Sequence, residues 1–155
     1  MKIVIVGCGR TGAFLAGLLD AADHEVTVVD LDRAAFTHLA KDFKGTTLLG
    51  NGSDLDVLRQ AGADKADAFI TLTQGDNRNL MAAQVAKQIF GVKQIIAKVN
   101  DPIRANTYRK HGITTFSRTT ILGTLLDAML KNDAEVGEVL VKKARAHEAR
   151  LADAV

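Results

Sequence analysis

Three glycines near the start of the chain, Gly7, Gly9 and Gly12, stand at the spacing G-x-G-x-x-G. That spacing suits a phosphate cradle. Gly7 would make a tight turn, Gly9 would let backbone approach a pyrophosphate, and Gly12 would let a following helix lie close on a strand. The free N–H groups and positive end of that helix would then face the phosphates. An acid, Asp30, follows Gly7 by 23 residues, near the separation of roughly 20 at which a carboxylate holds an adenosine ribose. A carboxylate accepts hydrogen bonds from ribose hydroxyls and repels a 2′-phosphate. The pair therefore predicts an adenine nucleotide with a free 2′-hydroxyl and disfavours NADP.

Patterns for catalysis do not accompany it. The only tyrosine, Tyr108, has Gly112 four residues on, where a short-chain dehydrogenase needs a lysine. A hydroxy-acid dehydrogenase needs a histidine with a carboxylate partner, normally from a second domain for which this chain has no room. His24, His38, His111 and His147 fall at spacings that do not suit metal ligation and read as surface residues. Cys8 lies in the glycine turn near a helix N-terminus, which would lower its thiol pKa. With no histidine placed as its base, it reads as a small residue filling the turn. The expectation is that the chain is not an enzyme and holds no metal. The alternative is the cofactor-binding part of a small NAD-dependent oxidoreductase whose catalytic groups lie on another subunit. A redox-sensing repressor would need a helix-turn-helix module, and none is visible.

The elements that would hold these residues alternate along the chain. Lys2, Ile3, Val4, Ile5 and Val6 read as a short strand buried on both faces. Gly12 then opens a helix predicted over 11–22, and a second strand, 26–29, ends on Asp30. A helix over 34–41 and a strand over 46–49 lead to Gly50-Asn51-Gly52-Ser53-Asp54, polar positions at a carboxyl strand end, where open α/β sheets bind ligands. Ser53 with Asp56 reads as a capping box for a helix over 55–61. A fourth strand, 68–72, ends at Thr73 and a polar loop, and a long helix over 79–90 is closed by Gly91. A fifth strand at 94–97 precedes Asp101, an N-cap with Pro102 at the first helical position of a helix over 103–111. A sixth strand is predicted at 113–116. Alternation at intervals of about 20 residues means right-handed crossovers and a parallel sheet.

Residues 119–131 carry Ile121, Leu122, Leu125, Leu126, Met129 and Leu130 as an apolar stripe at helical spacing. The stripe either covers the protein's own sheet or faces a partner. Beyond it a short strand is predicted at 136–141, and residues 142–155 are charged and Ala-rich, a solvated helix or frayed tail.

The bulk numbers agree with this picture. At 155 residues the chain suits one domain, and 47% hydrophobic with 25% charged residues is ordinary for a soluble protein. A net charge of +2, one Tyr and no Trp argue against a nucleic-acid partner. No apolar run approaches the ~18 residues of a membrane span, and Lys2 leads into a strand, not a secretion signal. One cysteine excludes an internal disulfide and every multi-Cys zinc pattern. The expected compartment is the cytoplasm, with any membrane reached through a partner.

Several stretches together resemble the N-terminal nucleotide-binding domain of the RCK family, also called KTN, the regulators of potassium channels and of Trk/Ktr-type potassium transporters. They are Gly7-Cys8-Gly9-Arg10-Thr11-Gly12, Asp30-Leu31-Asp32, Gly50-Asn51-Gly52-Ser53-Asp54, Thr71-Leu72-Thr73-Gln74-Gly75-Asp76-Asn77-Arg78-Asn79 and Ile96-Ala97-Lys98-Val99-Asn100-Asp101-Pro102. The first two occur in any Rossmann domain; the last two point to this family. The resemblance covers residues 1 to 131 as one domain and leaves 132 to 155 as a short C-terminal extension, the start of a further lobe. It implies a Rossmann-like α/β fold, a parallel six-stranded sheet with helices on both faces, followed by an amphipathic dimerisation helix. It also implies a cytosolic gating subunit at the inner face of the membrane, a homodimer or assembly of dimers beside a membrane-embedded potassium channel or transporter. The ligand would be NAD(H) or ATP/ADP. Arg10 and Lys98 would approach phosphates, Asp30 the ribose, and Asp32, Asn51 and Ser53 the adenosine, with Thr73 under the middle of the ligand. Thr11, Leu31, Arg33 and Gly52 complete the candidate set. The family often has Asp-Ala where Asn51-Gly52 stands here.

Overall fold

The apolar run at the start forms β1 (Lys2–Val6), and Ile3, Val4, Ile5 and Val6 are all buried. Burial on both faces follows from its place at the sheet centre. In the computed structural model, which describes residues 1–131, six parallel strands lie in the order β3-β2-β1-β4-β5-β6. The others are β2 (Glu25–Asp30), β3 (Thr46–Leu49), β4 (Ala68–Thr71), β5 (Gln94–Lys98) and β6 (Thr114–Phe116). β1 pairs with β2 from Lys2↔Glu25 to Val6↔Val29, and with β4 from Ile3↔Ala68 to Val6↔Thr71.

The strand order runs outward in one direction from β1 to β3 and in the other from β4 to β6. Right-handed crossovers then put the helices of the two halves on opposite faces. Strand side chains alternate between the faces and sort the apolar residues accordingly. Ile3 and Ile5 cluster with Val26, Val28, Ala68 and Ile70 beneath α1 (Arg10–Asp20) and Phe36. Val4, Val6, Val29, Phe69 and Ile95 form the other cluster. It is covered by α2 (Leu55–Gln60), α3 (Asp76–Gln88) and α4 (Pro102–Lys110) through Leu58, Leu80, Ala83, Ala86 and Ala105.

Three local expectations are corrected or adjusted. The segment expected as a helix over 34–41 is a short 3₁₀ stretch, Arg33–His38, after which Leu39 is extended. Phe36, Leu39 and Phe43 all pack on the α1 face, and the chain reaches β3 within a few residues, so the tighter, shorter helix wins. The N-cap of α2 is Asp54, whose side chain accepts from the N–H groups of Asp56 and Val57. Ser53, read as the cap, lies one residue too early, and its own N–H is held by Asn51. Helix α3 begins at Asp76, three residues before the predicted start. At α4, Asp101 caps as expected, accepting from the amides of Ile103 and Arg104 with Pro102 in the first turn.

Residues Met1–Ser117 form one unit, and Arg118–Val155 belong to a second. Within the second, α5 (Arg118–Leu130) is a helix whose Ile121, Leu122, Leu126, Met129 and Leu130 are exposed. The strand expected over 136–141, the charged stretch 142–155, and so the whole C-terminal extension lie outside the described residues. Among those residues no helix is long and apolar enough to cross a membrane.

Candidate functional site

The glycine turn between β1 and α1 is held in one shape by contacts no side chain could join. Gly7 has φ +107, and a Cβ there would come within 2.9 Å of the Leu72 carbonyl carbon and the Thr73 nitrogen. A Cβ on Gly12 would run into the Gly7 carbonyl oxygen. Both positions are closed by packing against the protein itself. Gly9 differs, since a Cβ there would meet nothing within 4 Å. It is the N-cap of α1, with no side chain capping it and no acid in the first turn. The amide end of α1 is thus uncompensated and faces open space, which is what an anion needs there.

Next to it, β2 carries Asp30 to the same edge. Asp30 Oδ2 accepts the Cys8 N–H at 2.6 Å and Oδ1 accepts the Asp32 N–H at 3.0 Å. The carboxylate therefore reaches across from β2 to the glycine turn. Two of its roughly four lone-pair sites remain for a ligand. Cys8 is fully buried, and its thiol is pushed up to about 11 by desolvation, with the neighbouring Asp30 charge adding to the rise. The expectation of a lowered pKa is thereby corrected: burial and the like charge of Asp30 raise it.

From the end of β3, Asn51 turns the chain by accepting the Ser53 N–H at 3.0 Å. Gly52 sits against Val6, and a Cβ on it would run into the Val6 side chain. The glycine at this position is fitted to the bulk of Val6. From the end of β4 comes Thr73, fixed by the fully buried Asn79. Asn79 Oδ1 accepts the Thr73 N–H and hydroxyl, each at 2.8 Å. Its Nδ2 donates to Thr73 O at 3.1 Å and Lys98 O at 2.9 Å. Asn79 thus ties the carboxyl ends of β4 and β5 together.

These pieces line one cavity of about 590 Å³ at the carboxyl edge of the sheet. Gly7, Gly9, Asp30, Leu31, Asp32, Asn51, Gly52, Ser53 and Thr73 all border it. Arg10, Thr11, Gly12, Arg33 and Lys98 of the candidate set do not. Arg10 and Thr11 are exposed in the first turn of α1, Gly12 is buried beneath the turn, and Arg33 is exposed at the start of the 3₁₀ stretch. The Lys98 ammonium lies 3.5 Å from the Leu72 carbonyl oxygen. The Asp32 side chain caps the 3₁₀ stretch through the Ala34 N–H. Sequence reasoning missed Thr37, His38, Gln74 and Arg78, which also border the cavity. His38 had read as a surface residue without a role. Nothing in its spacing marks it; only the 3₁₀ turn brings it to the wall. Among the described residues no three His, Cys, Asp or Glu side chains gather closely enough to hold a metal ion.

A doubly wound parallel sheet, reversing direction beside a glycine turn, is a Rossmann-type fold. Within that class the chain belongs to the TrkA-N domain family, which it matches over residues 3–118. It is 45% identical over 115 residues to the Trk system potassium uptake protein TrkA of Streptomyces coelicolor, covering 74% of this chain and 52% of that protein. The chain thus spans about half the length of that relative. Among solved structures, the Kef CTD of Shewanella denitrificans in AMP-bound form superposes with a TM-score of 0.73 at 18% identity, covering 99% of this chain and 96% of that one. The GsuK channel bound to NAD gives 0.65 at 22% identity, over 79% of this chain and 22% of that one. At these identities the likeness is one of fold.

Proposed function

We propose that this chain is a nucleotide sensor within a potassium transport system. It binds an adenine nucleotide in the sheet-edge cavity and passes the occupancy to a membrane-embedded channel or transporter. The observation that carries the reading is the Asp30 carboxylate on the cavity wall, beside the uncapped end of α1. An acceptor for ribose hydroxyls and a donor-rich site for phosphate stand side by side, as a nucleoside phosphate requires. The names of the relatives supply the system. The bound AMP and NAD of the fold neighbours support the ligand class.

In this reading Asp30, Asp32, Asn51 and Ser53 surround the adenosine with Leu31 and Gly52. The amides of Arg10, Thr11 and Gly12 meet the phosphates behind Gly9. Arg10, Arg33 and Lys98 lie off the cavity wall, so they reach a ligand only by moving their side chains. Arg78 is the cation already on the wall. The role is regulatory, in keeping with the potassium uptake names of the relatives. The protein works in the cytoplasm at the inner membrane face, as a dimer or assembly of dimers, with α5 as the contact. Gating requires that the ligand bind one arrangement better than another: a tenfold preference shifts the balance by only ~1.4 kcal/mol.

Calorimetric titration with AMP, ADP, ATP, NAD⁺, NADH and NADP⁺ tests the binding half. Saturable binding of at least one of the first five, with NADP⁺ weaker than NAD⁺, is expected; no heat from any of them overturns it. Co-purification of a potassium-transport membrane protein with the tagged chain tests the other half.

A further inference from the structure

We infer that His38 reads the base of the bound nucleotide, its bare Nε2 accepting a hydrogen bond from the 6-amino group of a purine. The inference rests on the nucleotide reading above and goes further into the same site. The Asp30 carboxylate and the end of α1 suit a ribose and phosphates, and neither of them reads a base.

Position along the sheet says which residues the base meets. The glycine turn follows β1, Asp30 ends β2, and β3 lies next beyond β2. Phosphates at the first and a ribose at the second run toward β3, and the base continues that line. Two segments border the cavity there. One is the 3₁₀ stretch that leaves β2, with Thr37 and His38; the other is the loop that leaves β3, with Asn51 and Ser53. The cation on the cavity wall, Arg78, belongs to α3, which follows β4 on the opposite side of β1. It stands toward the phosphate end of the line, away from the base.

Hydrogen bonds inside the 3₁₀ stretch fix what it offers. The Thr37 hydroxyl donates to the Ala34 carbonyl oxygen at 2.7 Å. His38 Nδ1 lies 2.8 Å from the Ala35 carbonyl oxygen. A carbonyl only accepts, so the ring proton sits on Nδ1, and in the neutral ring Nε2 is a bare acceptor. Asp32 accepts the Ala34 N–H, and an ionised carboxylate has no proton to donate. Asp32, Thr37 and His38 thus bring only lone pairs to the cavity they border. Of these acceptors Nε2 is the one held in a rigid ring, its direction fixed by the bond at Nδ1. On the β3 side, Asn51 Oδ1 takes the Ser53 N–H at 3.0 Å, which leaves the Asn51 NH₂ as a donor. A 6-aminopurine answers both walls: its exocyclic amine donates to His38, and its ring nitrogens accept from the other side. A 6-oxopurine would set a carbonyl oxygen against Nε2, lone pair against lone pair.

The test titrates the 155-residue chain by calorimetry with AMP, IMP and GMP in mildly alkaline buffer, where histidine is neutral. AMP and IMP share ribose and phosphate and differ at the 6-position edge of the base. One hydrogen bond predicts AMP about 3- to 10-fold tighter than IMP, with GMP no tighter than IMP. His38→Phe, which keeps a ring and removes the nitrogen, should weaken AMP by that factor and leave IMP unchanged. His38→Arg, which only donates, should bind IMP more tightly than AMP. His38 is exposed, and retained IMP binding shows that the variants are folded. Equal affinity of the unaltered chain for AMP and IMP overturns the inference. So does GMP binding as tight as AMP, or an AMP preference that survives His38→Phe. Those outcomes leave the nucleotide reading standing. Binding of none of the three overturns the inference as well; if NAD⁺ and ATP also fail to bind, the nucleotide reading falls with it.

Discussion

The Asp30 carboxylate has about four lone-pair sites, and the protein occupies two of them with the amides of Cys8 and Asp32. The residue therefore helps hold the glycine turn and keeps acceptors free, which the proposed reading gives to a ribose. Asp30→Asn must turn an NH₂ toward one of those amides and loses the charge. Charge-assisted hydrogen bonds contribute ≈ 1.5–3 kcal/mol, so nucleotide affinity should fall roughly 10- to 100-fold by calorimetry, with discrimination against NADP⁺ reduced. Equal affinity would remove Asp30 from the site. Cys8 supplies a second test. Its folded pKa of about 11 lies above the ordinary 9.0, so the folded state holds the thiol proton more tightly. That contribution is complete below pH 9 and disappears as pH rises toward 11, and the stability measured by urea titration should decline across that window. Cys8→Ala should flatten the decline. At neutral pH the folded thiol should resist disulfide reagents that react once urea unfolds the chain.

At the scale of elements, the carboxyl ends of the strands are held by side chains reading backbone. Asn79 clamps β4 to β5, and Asp76 at the start of α3 accepts the N–H groups of Asn100 and Asp101 at 3.0 and 2.8 Å. Asp101 in turn caps α4. Truncating Asn79 to Ala removes the four side-chain hydrogen bonds by which it holds Thr73 and Lys98. It should destabilise the fold by about 1–3 kcal/mol in urea unfolding. Asp101→Ala removes a cap and should cost about 0.5–2 kcal/mol. A cost for Asn79→Ala well below that for Asp101→Ala would mean that the clamp is dispensable. By contrast no side chain caps the start of α1. Its N-cap, Gly9, borders the cavity, and in the proposed reading an anion completes that end.

At the scale of the molecule, the sheet carries an apolar cluster on each face, and Phe69, fully buried, belongs to the one beneath α2, α3 and α4. Phe69→Ala should cost about 3–5 kcal/mol, a large part of a marginal total. A ligand held at 100 times its dissociation constant adds about 2.7 kcal/mol in the other direction. Melting temperature should therefore rise with NAD⁺ concentration, and a flat response would argue against tight binding. The exposed Ile121, Leu122 and Leu126 of α5 fit the proposed contact between copies. Leu126→Lys should make the sedimentation coefficient fall toward that of a monomer, while a dimer that persists would assign the contact elsewhere.

Much of this fold was legible because its signals are local. The β-branched run of β1, the G-x-G-x-x-G spacing, Asp30 at a strand end and the Asp101-Pro102 cap each state a backbone preference that nothing distant opposes. The alternation of strand and helix was enough to predict a parallel sheet, since right-handed crossovers leave few other ways to join the strands. What remained hidden was set by neighbours far apart in sequence. Packing of Phe36, Leu39 and Phe43 replaced a helix with a 3₁₀ turn, and so brought His38 to the cavity wall. Val6 decided that position 52 takes no Cβ, and burial beside Asp30 raised the Cys8 pKa that a helix terminus alone would lower. The direction of the Thr73 proton is decided only when Asn79 meets the Lys98 carbonyl, 19 residues further along the chain. Sequence determines which groups can donate or accept; the fold decides which of them are already taken.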